Sequence, residues 1–298
     1  MINVLLFFCL CAKIYALDLL VKEKVMKKFD GILICTDLDG TLLRNDKTIS
    51  KENLDAIEYF KSEGGKFTFI TGRMPFFVDK IYKTIRPNAP IGCINGGGIY
   101  DCQNRKYLWT QELSHSCLEL VEYIDKNVSG IGIQVNAFDK IYFSRENSAM
   151  QHFRDVTAVP NLVKYYYDVD EPIAKIVFGD EREESILQVE KLLAGHPRAN
   201  EFDFIRSERT LYEILPKGIS KGSVLPRLAD ILSLDIKKTV AVGDYNNDIS
   251  MLKAAGVGIA VDNAGDEVKS AADYVTVDNE HHAIAKIISD IESGLLKI

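Results

Sequence analysis

Asp37-Leu-Asp-Gly-Thr-Leu42 sets two carboxylic acids either side of one leucine, just ahead of a glycine. A carboxyl group with an unperturbed pKa of about 4 is ionised at neutral pH, so Asp37 can attack an electrophile without a base to activate it. Asp39 leaves the strand at Gly40 and can point elsewhere, which frees it to carry a proton. Thr41 adds a hydroxyl. The same stretch also reads as an ordinary Asp-Gly turn after a strand. Further along, Thr71-Gly72-Arg73 offers a hydroxyl, backbone N–H groups and a cation, and Asn95 stands before three glycines. Lys221 falls where a helix begins, at the positive end of its dipole, a placement that a nearby anion would explain. Asp244-Tyr-Asn-Asn-Asp248 gathers acids and amides on a strand-to-helix turn, where they could ligate a cation or serve as an Asx-turn and helix cap.

These residues are positioned by a βαβαβ pattern. Residues 31–36 are almost continuously apolar, as in a strand buried on both faces of a parallel sheet. A helix follows, capped by Ser50, with Leu54, Ile57 and Phe60 on one face and Gly64-Gly65 at its end. Strands at 66–70 and 91–94 flank a helical stretch at 76–85, and the rhythm returns with a helix at 221–232, strands at 239–242 and 257–261, and a helix at 247–254. The expected fold is α/β, a Rossmann-like parallel sheet of order 3-2-1-4-5 with helices on both faces. Asp37, Thr71, Asn95 and Asp244 then collect at the carboxyl ends of the strands, where such sheets bind ligands. In that order Asp37 and Asp244 are neighbours. Two carboxylates side by side repel unless a cation lies between them, and a hard divalent ion with few protein ligands favours Mg²⁺.

Between the two halves the pattern changes. Residues 118–128 read as a helix, 131–135 and 140–143 as a hairpin, 163–167, 173–178, 202–207 and 211–215 as strands, and 181–194 as an acidic helix. This predicts an α+β insertion at 102–210 within a discontinuous core domain at 29–101 and 211–298. Such a module, hinged above the site, could close over a small substrate and select it. Its Lys140, Arg145, Lys175 and Arg206 could reach a polar substrate, although solvated surface is the usual place for basic residues.

The chain's 298 residues suit two domains. Forty-three acidic residues against 36 basic ones give a net charge of −7, with no global attraction for a nucleic acid. Cysteines at 9, 11, 35, 93, 102 and 117 form no C-x-x-C pair, which argues against a zinc site or a disulfide framework and for a reducing compartment. Residues 1–28 read as an N-terminal extension. The apolar run at 4–12 has signal-peptide length, but its first lysine, Lys13, follows the run, which is too short to span a bilayer. Met26 offers an alternative start. The expectation is a dispensable extension on a cytoplasmic protein with no stable membrane span, secretion being the minority alternative.

In this order the fragments resemble the haloacid dehalogenase superfamily of aspartyl-nucleophile phosphatases. Asp37-x-Asp-Gly-Thr, Thr71-Gly-Arg, Lys221 and Gly243-Asp-x-x-Asn-Asp248 match its four motifs, over residues 31–276. Asn95-Gly-Gly before the insertion, Pro216-x-Gly-x-Ser-Lys-Gly after it, and the segments 258–264 and 272–276 are similar to the Cof-type subfamily with its large α+β (C2B-type) cap. The resemblance implies hydrolysis of small phosphate monoesters, sugar phosphates among them, through a phosphoaspartate. Asp37 would attack phosphorus, and Asp39 would protonate the leaving oxygen and then take a proton from water. Mg²⁺ would be held by the carboxylates of Asp37 and Asp244 and the backbone carbonyl of Asp39, with Asp248 supporting those ligands and Lys221 offsetting charge. Thr71, Gly72, Arg73, Asn95 and Asn247 would face the phosphate or substrate. Asp39 must then hold a proton near neutrality, and crowding by negative charge is expected to raise its pKa. The alternatives are a phosphotransferase or phosphomutase using the same nucleophile, a phosphoacceptor switch, and a non-enzymatic binding protein.

Overall fold

Residues 27–298 are described by a computed structural model. The apolar run at 4–12 and the start at Met26 lie outside the described residues. Along the chain the strands are β1 (Leu33–Thr36), β2 (Lys66–Phe69), β3 (Ile91–Cys93), β4 (Gly98–Asp101), β5 (Lys106–Thr110), β6 (Gly132–Ala137) and β7 (Ile141–Arg145). They continue with β8 (Leu162–Val163), β9 (Ile173–Gly179), β10 (Phe202–Glu208), β11 (Leu211–Pro216), β12 (Thr239–Gly243), β13 (Val257–Ala260) and β14 (Tyr274–Val275).

The parallel sheet runs β14-β13-β12-β1-β2. Every residue of β1 and β12 is buried, which is why these segments are continuously apolar rather than alternating. β3 lies beside β2 through the Ile70–Gly92 bridge and the Thr71 N–H to Gly92 carbonyl bond of 3.0 Å. The order β3-β2-β1-β12-β13 is therefore the expected one, with β14 added at the far edge. One difference is that β3 also opens a small antiparallel sheet with β4 and β5. The helix Lys51–Ser62 begins where Ser50 accepts a hydrogen bond from the Asn53 N–H, and it buries Ile57 and Phe60. Against it packs Ala283–Glu292, a helix outside the sequence expectation, through Ile284, Ile287 and Ile288.

A second, mainly antiparallel sheet has the order β10-β11-β9-β6-β7-β8. Its Ile133, Val135, Ile176, Phe178 and Ile214 form a separate core with the helices Leu118–Asn127 and Glu183–Ala194. Two strands fall elsewhere than expected. β5 belongs with β3 and β4, and β11 pairs with β10 and β9, so sheet membership changes after Thr110 and after Pro216 rather than at 102 and 211. The reason is local, because β10 and β11 are joined by a two-residue turn and antiparallel neighbours pair first. Of the strand expected at 163–167 only Leu162–Val163 forms, before a 3₁₀ turn at Tyr166–Asp168 that buries Tyr166. Ser148–Thr157 is a helix to which the sequence expectation gave no assignment. Asn147 caps it, and Ala149, Met150, Phe153 and Val156 recur at helical spacing, a signal the sequence carried although only Met150 is fully buried.

Candidate active site

Asp37 and Asp244 are the first residues beyond β1 and β12, which are hydrogen-bonded neighbours, so sheet order alone brings the two carboxylates together. The Asp37 N–H donates to the Val242 carbonyl at 2.8 Å, and the Thr41 hydroxyl donates to Asp244 Oδ1 at 2.5 Å. Gly40, at φ +78°, is what permits this closeness, since a Cβ there would stand 2.4 Å from Asp244 Oδ2.

Lys221 opens the helix Lys221–Leu232, where Ser220 and Ser223 form a reciprocal cap. Its side chain is only 1% exposed, and Nζ sits 2.8 Å from Asp37 Oδ1 and 2.7 Å from Asp248 Oδ1. Two anions thus offset the unfavourable dipole position. Asp248, fully buried, also accepts from the N–H groups of Asp244 (3.0 Å) and Tyr245 (3.1 Å) through Oδ2. Gly96, at φ +99°, would bring a Cβ to 2.0 Å from the Ser220 carbonyl oxygen, so the turn carrying Asn95 packs backbone to backbone on the cap of this helix.

Oxygens of Asp37, Asp244 and Asp248 lie within 4.8 Å of one another. Burial pushes the Asp37 pKa up to about 8, with Lys221 drawing it back and Asp248 and Asp244 adding to the rise. Burial, then the Asp248 charge, lifts Asp244 to about 6. For Lys221, burial acts downward but Asp248 and Asp37 outweigh it, and its pKa is raised. Crowding of this kind is relieved by a bound cation, and an all-oxygen donor set suits a hard one. Asp248 has both oxygens engaged by three hydrogen bonds and lies behind the cavity wall, whereas Asp37 and Asp244 line the cavity. The residues present therefore fit a metal ion, with Asp37 and Asp244 as its carboxylates.

Asp39 differs from expectation. Arg73 clamps it through Nε to Oδ2 (2.9 Å) and Nη2 to Oδ1 (2.8 Å), and Lys47 Nζ reaches Oδ1 at 2.8 Å. Burial acts upward on Asp39, but Arg73 and Lys47 together outweigh it and its pKa is lowered. The expected rise through negative crowding is thus corrected, because its near neighbours are cations. Lys47 was not among the candidates. It stands eight residues further on, in a turn closed by the Arg44 N–H to Thr48 carbonyl bond of 2.9 Å, and only its charge near the motif could have pointed to it.

Thr71, Gly72, Arg73 and Asn247 line the same cavity of about 1650 Å³. Asn95 sits just behind them, donating to Glu213 Oε2 at 2.8 Å and accepting from Asn247 at 3.2 Å. Asn247 Oδ1 is buried with no partner among the described residues. Of the four basic residues considered in the insertion, Lys175 alone lines the cavity. Its Nζ meets the Gly72 carbonyl at 3.2 Å and both Glu213 oxygens at 2.9 Å. Lys140, Arg145 and Arg206 pair instead with Glu171, Asp125 and Glu183. Glu213 went unnoticed in the sequence, although a charged residue inside Leu-Tyr-Glu-Ile-Leu was a signal that one face of that strand meets something polar.

Paired carboxylates and a buried lysine thus meet at the strand ends, below an antiparallel sheet. A family model described as haloacid dehalogenase-like hydrolase matches residues 34–288, and the chain belongs to that family. It is 29% identical over 286 residues to Phosphatase YwpJ of Bacillus subtilis, covering 87% of this chain and 99% of that one. It is likewise 29% identical over 288 residues to 5-amino-6-(5-phospho-D-ribitylamino)uracil phosphatase YwtE of the same organism, covering 88% of this chain and 98% of the relative. A solved haloacid dehalogenase-like hydrolase from Bacteroides thetaiotaomicron superposes with a TM-score of 0.76 at 25% identity, over 87% of this chain and 99% of the other. The chain is a Cof-type member of the family and an enzyme of the phosphatase class. Among the described residues no helix is long and apolar enough to cross a membrane.

Proposed function

We propose that the protein hydrolyses small phosphate monoesters, sugar phosphates among them, through a phosphoaspartate on Asp37. The observation that carries this reading is Lys221, buried between Asp37 and Asp248 with Asp244 alongside, at the carboxyl ends of β1 and β12. Lys221 fixes Asp37 in place and draws its pKa down against burial, and a cation bound beside it would complete the ionisation needed for attack on phosphorus. A bound Mg²⁺, held by Asp37 and Asp244 and the Asp39 carbonyl, would supply neutralisation of phosphoryl charge. Thr71 and Gly72 offer a hydroxyl and a backbone N–H to the phosphoryl position, and Asn247, held by Asn95 through its own amide N–H, lines the cavity beside it. An incoming phosphate dianion competes for Arg73 and Lys47. As those cations turn toward it, Asp39 loses the partners that depress its pKa and gains a negative neighbour, so it takes up the proton it later gives to the leaving oxygen.

The segment from 111 to 216 acts as the cap that closes over the substrate. Buried free thiols at Cys35, Cys93 and Cys117 accord with a reducing, cytoplasmic location. The test is phosphate release from a panel of phosphomonoesters with and without Mg²⁺, in the wild type and in Asp37→Asn. Metal-dependent release lost in the variant supports the reading. Release untouched by both the substitution and a chelator contradicts it.

A further inference from the structure

Beyond Asp37 the chain leaves β1 and doubles back on itself. The Leu43 N–H donates to the Leu38 carbonyl at 2.8 Å, and Leu43 lies in a parallel bridge with Asp39. Backbone carbonyls turned away from such a loop need partners of their own. Those of Gly40 and Leu43 find them in two asparagines from the far end of the chain. Asn263 Nδ2 donates to the Gly40 carbonyl at 2.8 Å, and Asn279 Nδ2 donates to the Leu43 carbonyl at 3.0 Å.

The two amides are joined. The Asn279 N–H donates to Asn263 Oδ1 at 3.1 Å, which turns the Asn263 NH₂ toward Gly40. Asn263 follows β13 and Asn279 follows β14, so both stand at the carboxyl ends of strands in the sheet that carries Asp37. Asn279 is 2% exposed although it opens a 3₁₀ turn, Asn279–His281, where Asp278 accepts from the N–H groups of Glu280 and His281 at 3.0 Å each. The same turn takes a further bond, from the Asn45 N–H to Glu280 Oε1 at 2.8 Å. Neither asparagine lines the cavity. Amides spent on backbone carbonyls act on the reaction through the residues that own those carbonyls. Gly40 is the residue after Asp39, and Leu43 is the bridge partner of Asp39, so what the two amides fix is the backbone that aims the Asp39 carboxyl. Arg73 and Lys47 cannot aim it once they have turned toward a bound phosphate, and the backbone is then its remaining support.

We propose that Asn279 and Asn263 are positioning residues for proton transfer by Asp39. The proposal rests on the phosphatase reading above, in which an Asp37 oxygen bonds to phosphorus, the bond from phosphorus to the leaving oxygen breaks, and the Asp39 proton passes to that oxygen. A badly aimed acid slows the expulsion of basic leaving groups and spares those that depart unprotonated.

The full-length enzyme is assayed with Mg²⁺ for phosphate release from p-nitrophenyl phosphate, whose leaving group needs no proton, and from phenyl phosphate, of similar shape but with a far more basic leaving group. The quantity read is kcat/KM for phenyl phosphate divided by that for p-nitrophenyl phosphate, a ratio in which the amount of folded enzyme cancels. Asp39→Asn lowers it about 100-fold, the lower end of what a general acid contributes. Asn279→Ala lowers it about tenfold, as for an acid displaced by less than about 1 Å. Asn263→Ala, at an exposed side chain, lowers it in the same direction. A ratio unchanged in Asn279→Ala, whatever becomes of its melting temperature, makes that amide merely structural and overturns the proposal, while the fall in Asp39→Asn leaves the phosphatase reading intact. Should Asn279→Ala not fold, Asn263→Ala decides, and an unchanged ratio there overturns the proposal. An unchanged ratio in Asp39→Asn removes Asp39 as the acid and the proposal with it, as does a wild type that hydrolyses p-nitrophenyl phosphate and leaves phenyl phosphate intact. Release from neither substrate overturns this proposal and the phosphatase reading together.

Discussion

Lys221→Met removes an ammonium held 2.8 Å from Asp37 and 2.7 Å from Asp248, with little change in side-chain length. What remains is three carboxylates whose oxygens lie within 4.8 Å of one another. At an effective dielectric constant of about 20, two unit charges at that separation repel by roughly 3 kcal/mol. Removing one partner from a buried ion pair costs about 3–5 kcal/mol by experience with other proteins, so the two estimates agree. For a chain of this size a loss of about 3 kcal/mol lowers the melting temperature by roughly 6–12 °C. The cost arises because the carboxylates are charged in the folded state, so the gap between variant and wild type should narrow as pH is lowered from about 8 to 5 and they take up protons. The assay is thermal unfolding followed by circular dichroism, in chelator, at both pH values. A variant that melts within about 2 °C of the wild type at pH 8 would refute the argument that Lys221 neutralises this cluster.

Three further outcomes follow from the same geometry. In metal-free wild type, Asp37 and Asp244 have folded pKa values of about 8 and about 6, above the unfolded value of about 3.9. The folded state therefore binds more protons, and the stability these groups contribute is complete below about pH 4 and lost as pH rises through 6 and then 8. The melting temperature in chelator should fall between pH 5 and 9 and be restored by Mg²⁺, and a rise over that window would contradict the assignment. Gly40→Ala forces a side chain into a left-handed backbone and against Asp244, costing about 1–2 kcal/mol in stability. Its turnover should fall at least tenfold, and unaltered turnover would show that the contact between the two turns is dispensable. In Arg73→Gln, Asp39 loses its bidentate partner, so its pKa should move upward in a carboxyl-carbon NMR titration, and a stationary pKa would remove Arg73 as the group that depresses it.

Much of the catalytic layout was legible because strand order determines which residues meet. Asp37 and Asp244 follow almost continuously apolar segments and Thr71 follows Lys-Phe-Thr-Phe-Ile, and once these are read as parallel strands their neighbours follow without any side-chain detail. Lys221 was readable as an oddity of helix electrostatics. What the sequence concealed depends on chain reversal and on faces. Lys47 returns to Asp39 through a turn with no periodicity. The division between the two sheets was drawn too early at 211, because an apolar strand carries no mark of whether it pairs with the strand before it or with a sheet further away. Lys175 read as a solvated charge and Glu213 drew no reading, because only the second sheet turns that face toward the catalytic turns.

The central claim is that Asp37 carries the phosphoryl group during turnover. Its most direct test is an acid-quenched single turnover with a ³²P-labelled phosphomonoester, followed by borohydride reduction and peptide mapping. The account predicts label on the wild-type protein and homoserine at position 37 after reduction, with neither in Asp37→Asn. Stoichiometric phosphate release with no label on the protein at any time, or label on another residue, would contradict it.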